Sequence, residues 1–223
     1  MFPRDAVARK HSGTNRVEFK VRFLLSPLLI FLVACGSAVA STASTTAALE
    51  TIELPVSLYI VTAETGPSST RTAAEVGEIG RRMTDIWGQA GITLDITVVG
   101  EIEVPPDVIA AVAARDGRSF LIAANQARFD IPDPGALIGF YVPDAGGANG
   151  FAPVGLRAFF VSDVSTVYDE RVSSHEIGHI LGLHHAQDDP DRLMFSGTNG
   201  MAMTADEIGV ARYTARGILD GFR

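Results

Sequence analysis

Four of the five histidines fall within eleven consecutive residues, His175-Glu176-Ile177-Gly178-His179-Ile180-Leu181-Gly182-Leu183-His184-His185. The spacing is H-E-x-x-H-x-x-G-x-x-H, and each fixed position has a physical use. On a helix, positions i and i+4 stack on one face, so His175 and His179 can offer two imidazole nitrogens to one ion. Gly182 can take the left-handed conformation that ends a helix and turns the chain back, which lets His185 supply a third nitrogen. Three protein ligands with the fourth position open is the arrangement of a catalytic rather than a structural zinc site. Glu176 projects near such an ion without having to bind it and is the candidate general base. His184 sits beside His185 and could compete for the metal. The glycine-to-histidine spacing favours His185 and leaves His184 to a loop or pocket wall.

This cluster needs a helix, and the helix needs a scaffold. Leu54-Pro55-Val56-Ser57-Leu58-Tyr59-Ile60-Val61 alternates as a strand does. Thr72 and Glu75 form a capping-box pattern opening a helix with Val76, Ile79, Met83, Ile86, Trp87 and Ala90 on its apolar face, ended by Gly91. Ile92, Leu94, Ile96 and Val98 alternate with polar residues, predicting a second strand with one buried face. A short helix is expected after Pro105-Pro106, and Phe120-Leu121-Ile122 reads as a short strand. Leu137–Val142 and Ala158–Ser162 read as two more strands. Between them, the glycines and proline of Gly146 to Val154 suit an edge strand or bulged loop, so Gly150, Phe151 and Ala152 are candidates for an edge that accepts an extended peptide. The helix carrying His175 and His179 follows Ser165-Thr166. A second capping box, Thr204 with Glu207, opens a terminal helix with Ile208, Ala211, Tyr213 and Ile218. The β-α-β order predicts an α/β (α+β) architecture, a mixed twisted sheet backed by helices.

Composition narrows the partners. The chain has 223 residues, 47% hydrophobic and 20% charged, enough for one globular domain and a leader. Residues 1 to 34 hold six basic residues and two acids, which leaves 12 Arg, no Lys and 24 acids, a net −12, for the remainder. So acidic a body argues against a nucleic-acid partner. In the leader, basic residues up to Arg22 precede an apolar run from Phe23 to Ala34, which is short for a membrane span and reads as an export signal. It ends Leu32-Val33-Ala34-Cys35, similar to the lipobox of bacterial lipoproteins, and Cys35 is the only cysteine. The expected organisation is a signal peptide at 1 to 34, a lipidated Cys35 with a flexible tether at 35 to 52, and a catalytic domain at 53 to 223. The product is then an exported bacterial protein held on the extracytoplasmic side of a membrane by its lipid alone. Cleavage after Ala38-Val39-Ala40 would instead give a soluble secreted protein.

The extended histidine motif resembles that of the metzincin clan of zinc endopeptidases. The resemblance implies a zincin fold with an active-site helix and a small C-terminal subdomain closed by a helix, one catalytic zinc held by His175, His179 and His185, and Glu176 as base. It also implies a tight methionine-containing turn below the metal. Met194, nine residues after His185, fits that turn at a spacing similar to matrixin-like members. Met201 and Met203 are the rivals. Ser196 stands where a proline is often found, and the tyrosine of astacin-like members is absent there. Asp169 and Glu170 could support a ligand from behind or simply face water. Asp188, Asp189 and Asp191 suggest calcium only weakly, because a full set of oxygen ligands is missing. The implied partner is a protein or peptide substrate, met by a monomer, with side-chain preference set by the loops at 186 to 203. A zinc hydrolase of another amide or ester and an inactive surface-binding module are the alternatives.

Overall fold

The computed structural model describes residues 50–126 and 135–221. The leader, Cys35 and all but the end of the tether lie outside them. Among the described residues no helix is long and apolar enough to cross a membrane.

Five strands form one mixed sheet in the order β2-β1-β3-β5-β4. The first, β1 (Ile52–Ala63), lies parallel to β2 (Ile92–Val104) on one side and to β3 (Leu137–Val142) on the other. Next to β3 comes parallel β5 (Ala158–Ser162), and the two-residue β4 (Gly150–Phe151) pairs antiparallel with it as the outermost strand. The anticipated edge is therefore a true edge.

Because side chains alternate across a strand, the sheet feeds two cores. On one face Leu58, Ile60, Tyr141, Phe159 and Val161 pack with α1 (Ala73–Gly88), α4 (Asp169–Ile180) and α5 (Ala205–Leu219). On the other, Tyr59, Val61, Phe140 and Phe160 meet α2 (Pro106–Ala113) and α3 (Gly117–Gln126). Here Phe120 sets its ring edge against both Phe140 and Phe160, at centroid distances of 4.7 and 5.1 Å.

Both capping boxes form as expected, at Thr72 with Glu75 and Thr204 with Glu207. One expectation needs correction, and two elements carry details that the sequence did not show. Phe120-Leu121-Ile122 is not a strand but part of α3, because Asp116 captures the Ser119 N–H (3.1 Å) and hydroxyl and so nucleates a helix. The second strand continues past Val98 to Val104. A bulge pairs Leu58 with Val98 but Tyr59 with Gly100, and the extra residue switches Ile102 and Val104 to the opposite face, where they join the second core. Tyr213 is 79% exposed, since the inner face of α5 runs through Ile208, Ala211, Ala215 and Ile218.

The closing helix is fastened to the start of the sheet. Buried Arg212 donates to the carbonyls of Ala90 (2.7 Å), Gly91 (3.1 Å) and Glu50 (2.6 Å).

Candidate metal centre

α4 runs across the sheet and buries nearly its whole length, including His175 and Glu176, each 5% exposed. It ends at Gly182, whose φ of 85° is the left-handed turn that the sequence requires, closed by bonds from Gly182 N to His179 O (3.1 Å) and Leu183 N to Gly178 O (2.8 Å). The reversed chain brings His185 back beside the helix. The ligand nitrogens of His175, His179 and His185 all lie within 4.8 Å of one another. Ring centroids are 4.7 to 5.2 Å apart. His184 is exposed and outside this group.

Hydrogen bonds fix which nitrogen faces inward. His175 Nδ1–H donates to the Leu193 carbonyl (2.8 Å) and His179 Nδ1–H to the Leu183 carbonyl (3.0 Å), so both Nε2 atoms keep free lone pairs. Nε2 of His179 lies 3.1 Å from Nε2 of His185. Tetrahedral ligands at ~2.1 Å from one ion stand ~3.4 Å apart, so the donor set fits a shared metal ion. Burial pushes His175 down to about 3, helped by the nearby Arg171 charge, and also lowers His179. Both rings are thus neutral, the form that ligates.

Glu176 lies outside this donor group and sits against the sheet edge. Burial drives its carboxyl up to about 8, opposed by the Arg171 charge and by a hydrogen bond from the Ala152 backbone. The candidate edge residues therefore sit beside the candidate base. Gly150 is required there, since a Cβ would come within 2.7 Å of the Phe160 carbonyl oxygen, 2.8 Å of Val172 and 3.2 Å of Glu176. Phe151 stacks on Phe160 at 4.7 Å.

Met194 is fully buried beneath α4. A Cβ on Gly178 would fall 2.5 Å from its sulfur, so only glycine lets the turn sit this close. The turn is tied to the segment just after the third histidine by the bond from Ala186 N to Met194 O (2.9 Å). Met201 and Met203 are held instead by Gln89 at the end of α1. Asp169 pairs with Arg71 (2.8 Å) and Glu170 with Arg82 (3.4 Å), fastening α4 to α1 rather than supporting a histidine. Asp188 pairs with Arg192 (2.8 Å) and Asp189 accepts from the Asp191 N–H (2.9 Å). Among the described residues the three histidines are the group of side chains placed to hold a metal ion.

One residue of the centre went unread in the sequence. Arg171, 3% exposed, donates to the carbonyls of Leu193 (2.8 Å), Phe195 and Gly200 (3.4 Å). It thus grips the methionine turn from above and shares the Leu193 oxygen with His175. Its position one helical turn before His175 was the available signal: an arginine on the ligand-bearing face must find acceptors indoors.

No family model matches the chain, and no curated protein matches it. Among solved structures, metalloproteinase-II from Bacteroides fragilis is similar with a TM-score of 0.47 and 17% identity over 74% of this chain. A chaperone-substrate complex is similar with a TM-score of 0.44 and 13% identity over 76% of it. The chain spans 54% and 35% of the lengths of those two chains.

Proposed function

We propose that the protein is a zinc-dependent endopeptidase of metzincin type in which Glu176 is the general base. The observation that carries the reading is the meeting of three imidazoles, two of them held by Nδ1–H bonds to carbonyls, while the adjacent carboxyl stays outside the ligand set. His175, His179 and His185 would hold the ion. Zinc there supplies a Lewis acid that polarises the scissile carbonyl, brings the pKa of water toward ~7 and, as the largest local charge, favours the ionised form of Glu176.

The chain's own groups do the rest. A Glu176 carboxylate oxygen accepts a proton from the attacking water as its oxygen bonds to the carbonyl carbon. The same oxygen then delivers that proton to the nitrogen as the C–N bond breaks, so the products are an acid and an amine. The Ala152 N–H keeps the carboxyl turned toward the edge strand along which a peptide would lie. Met194, Gly178 and Arg171 hold the imidazoles from beneath. The same reading sets the protein on the extracytoplasmic side of a bacterial membrane, anchored through Cys35.

The test is hydrolysis of a denatured protein by the zinc-loaded chain. Cleavage should stop with a chelator, return with zinc, and be lost in Glu176→Ala while zinc binding persists. Full biological effect of a zinc-binding Glu176→Ala protein would turn the reading toward a binding module. Hydrolysis of small amides or esters but of no peptide would turn it toward another hydrolase.

A further inference from the structure

A cavity of about 540 Å³ opens against the metal centre on the far side of His179. Three pieces of chain build it: the segment following β4, from Ala152 to Arg157, the end of α4 with its glycine turn, and the outer part of α5 at Thr214 and Ile218. Its walls are mainly apolar, with Pro153, Leu156, Ile180, Leu183 and Ile218 outnumbering the polar groups. Arg157 also lines it but is engaged within the fold. This space lies apart from the acidic loop and the turn at 186 to 203.

Continuity with the reacting centre argues for its occupant. His179 is at once a candidate ligand and part of the cavity wall, so whatever fills the cavity touches the centre. The strand β4 leads straight to it: Gly150 sits against Glu176, the Ala152 backbone hydrogen-bonds the same carboxyl, and the next five residues form one wall of the cavity. A peptide added to the free side of β4 is best held antiparallel, the stronger pairing. It would then run from the cavity toward Gly150, which puts residues on the N-terminal side of the cleaved bond at the cavity.

We infer that the cavity flanking His179 is a specificity subsite for a bulky apolar side chain N-terminal to the scissile bond, with Thr214 and Ile218 of α5 setting its depth. The inference rests on the peptidase reading given above. It assigns to the last helix a share in substrate choice, although that helix contributes nothing to the donor set.

The experiment uses the full zinc-loaded chain and a random peptide library, with cleavage sites read by mass spectrometry. Large apolar residues should be enriched on the N-terminal side. Thr214→Phe, which fills the cavity, should shift the kcat/KM ratio of Phe over Ala peptides toward Ala by about tenfold or more, and Ile218→Ala should admit larger residues. Unchanged preference in both variants, or selectivity confined to the C-terminal side, overturns the inference. If the wild type cleaves no peptide, the peptidase reading has failed and the cavity is judged by binding. Zinc-loaded Glu176→Gln protein should then bind a blocked Phe-containing peptide amide more tightly than its Ala counterpart, and Thr214→Phe should erase the difference. Equal binding of the two peptides overturns the subsite.

Discussion

The buried Glu176 carboxyl should make the metal-free protein lose stability as the solution becomes alkaline. Burial raises its folded value from 4.5 to about 8, so between these limits the folded state holds a proton that the unfolded state has released. Stability carried by a raised carboxyl is complete below about 4.5 and falls as pH rises through about 8. His175, lowered to about 3, and His179, also lowered, act in the opposite sense, but their windows close near 6.5. In the interval from pH 6.5 to 8 the Glu176 loss dominates, offset in part as the two histidines finish deprotonating in the unfolded chain. At ~1.4 kcal/mol per unit, with partial ionisation counted at both ends, the expected net loss is roughly 1 kcal/mol. For a domain of this size that lowers Tm by about 2 to 4 °C. The assay is urea unfolding of chelator-treated protein followed by the fluorescence of Trp87, the sole tryptophan and fully buried. Glu176→Gln should show no decline over the interval, and saturating zinc should remove the decline in the wild type. An equal slope in Glu176→Gln, or no slope in the wild type, would refute the assignment of burial as the cause.

The remaining predictions concern the donor set and its supports. His185→Ala should weaken zinc binding by more than about 100-fold, while His184→Ala should change it by less than about threefold, both read by calorimetric titration. Arg171→Met leaves the carbonyls of Leu193, Phe195 and Gly200 without this donor, so it should destabilise the protein by roughly 3 kcal/mol in urea unfolding. It should also weaken zinc binding by about 10- to 100-fold, since the Leu193 oxygen orients His175. Gly150→Ala forces a methyl group against the Phe160 carbonyl, Val172 and Glu176, so a destabilisation of about 1 to 3 kcal/mol and a fall in kcat are expected, with Gly147→Ala as a control of ordinary loop strain.

What the chain disclosed about itself followed the range of the interaction involved. The histidine ligands, the capping boxes and the strands at 137 to 142 and 158 to 162 are set by spacing of a few residues, and they stand in the structure where spacing puts them. Phe120-Leu121-Ile122 was misread because three apolar residues in a row suit either geometry, and the deciding signal was the aspartate capping them from Asp116. The bulge at Val99 was hidden because it changes the period of alternation, so the half of β2 beyond it looked like the end of a strand. Arg171 and the cavity beside α5 were illegible for a different reason. Each depends on residues more than twenty positions apart that meet only once the sheet has ordered them.

Arg212 has an implication for how the molecule comes into being. The three carbonyls it satisfies belong to the opening of β1 and the turn before β2, yet the guanidinium arrives more than a hundred residues later in synthesis. Until residue 212 has been made the Glu50 and Ala90 carbonyls lack this donor, whereas the Gly91 carbonyl can already accept from the Ile52 N–H (3.0 Å). The first strands can pair early, but their lower ends stay only partly fastened, which keeps the nascent polypeptide pliable until the middle of α5 arrives to lock it.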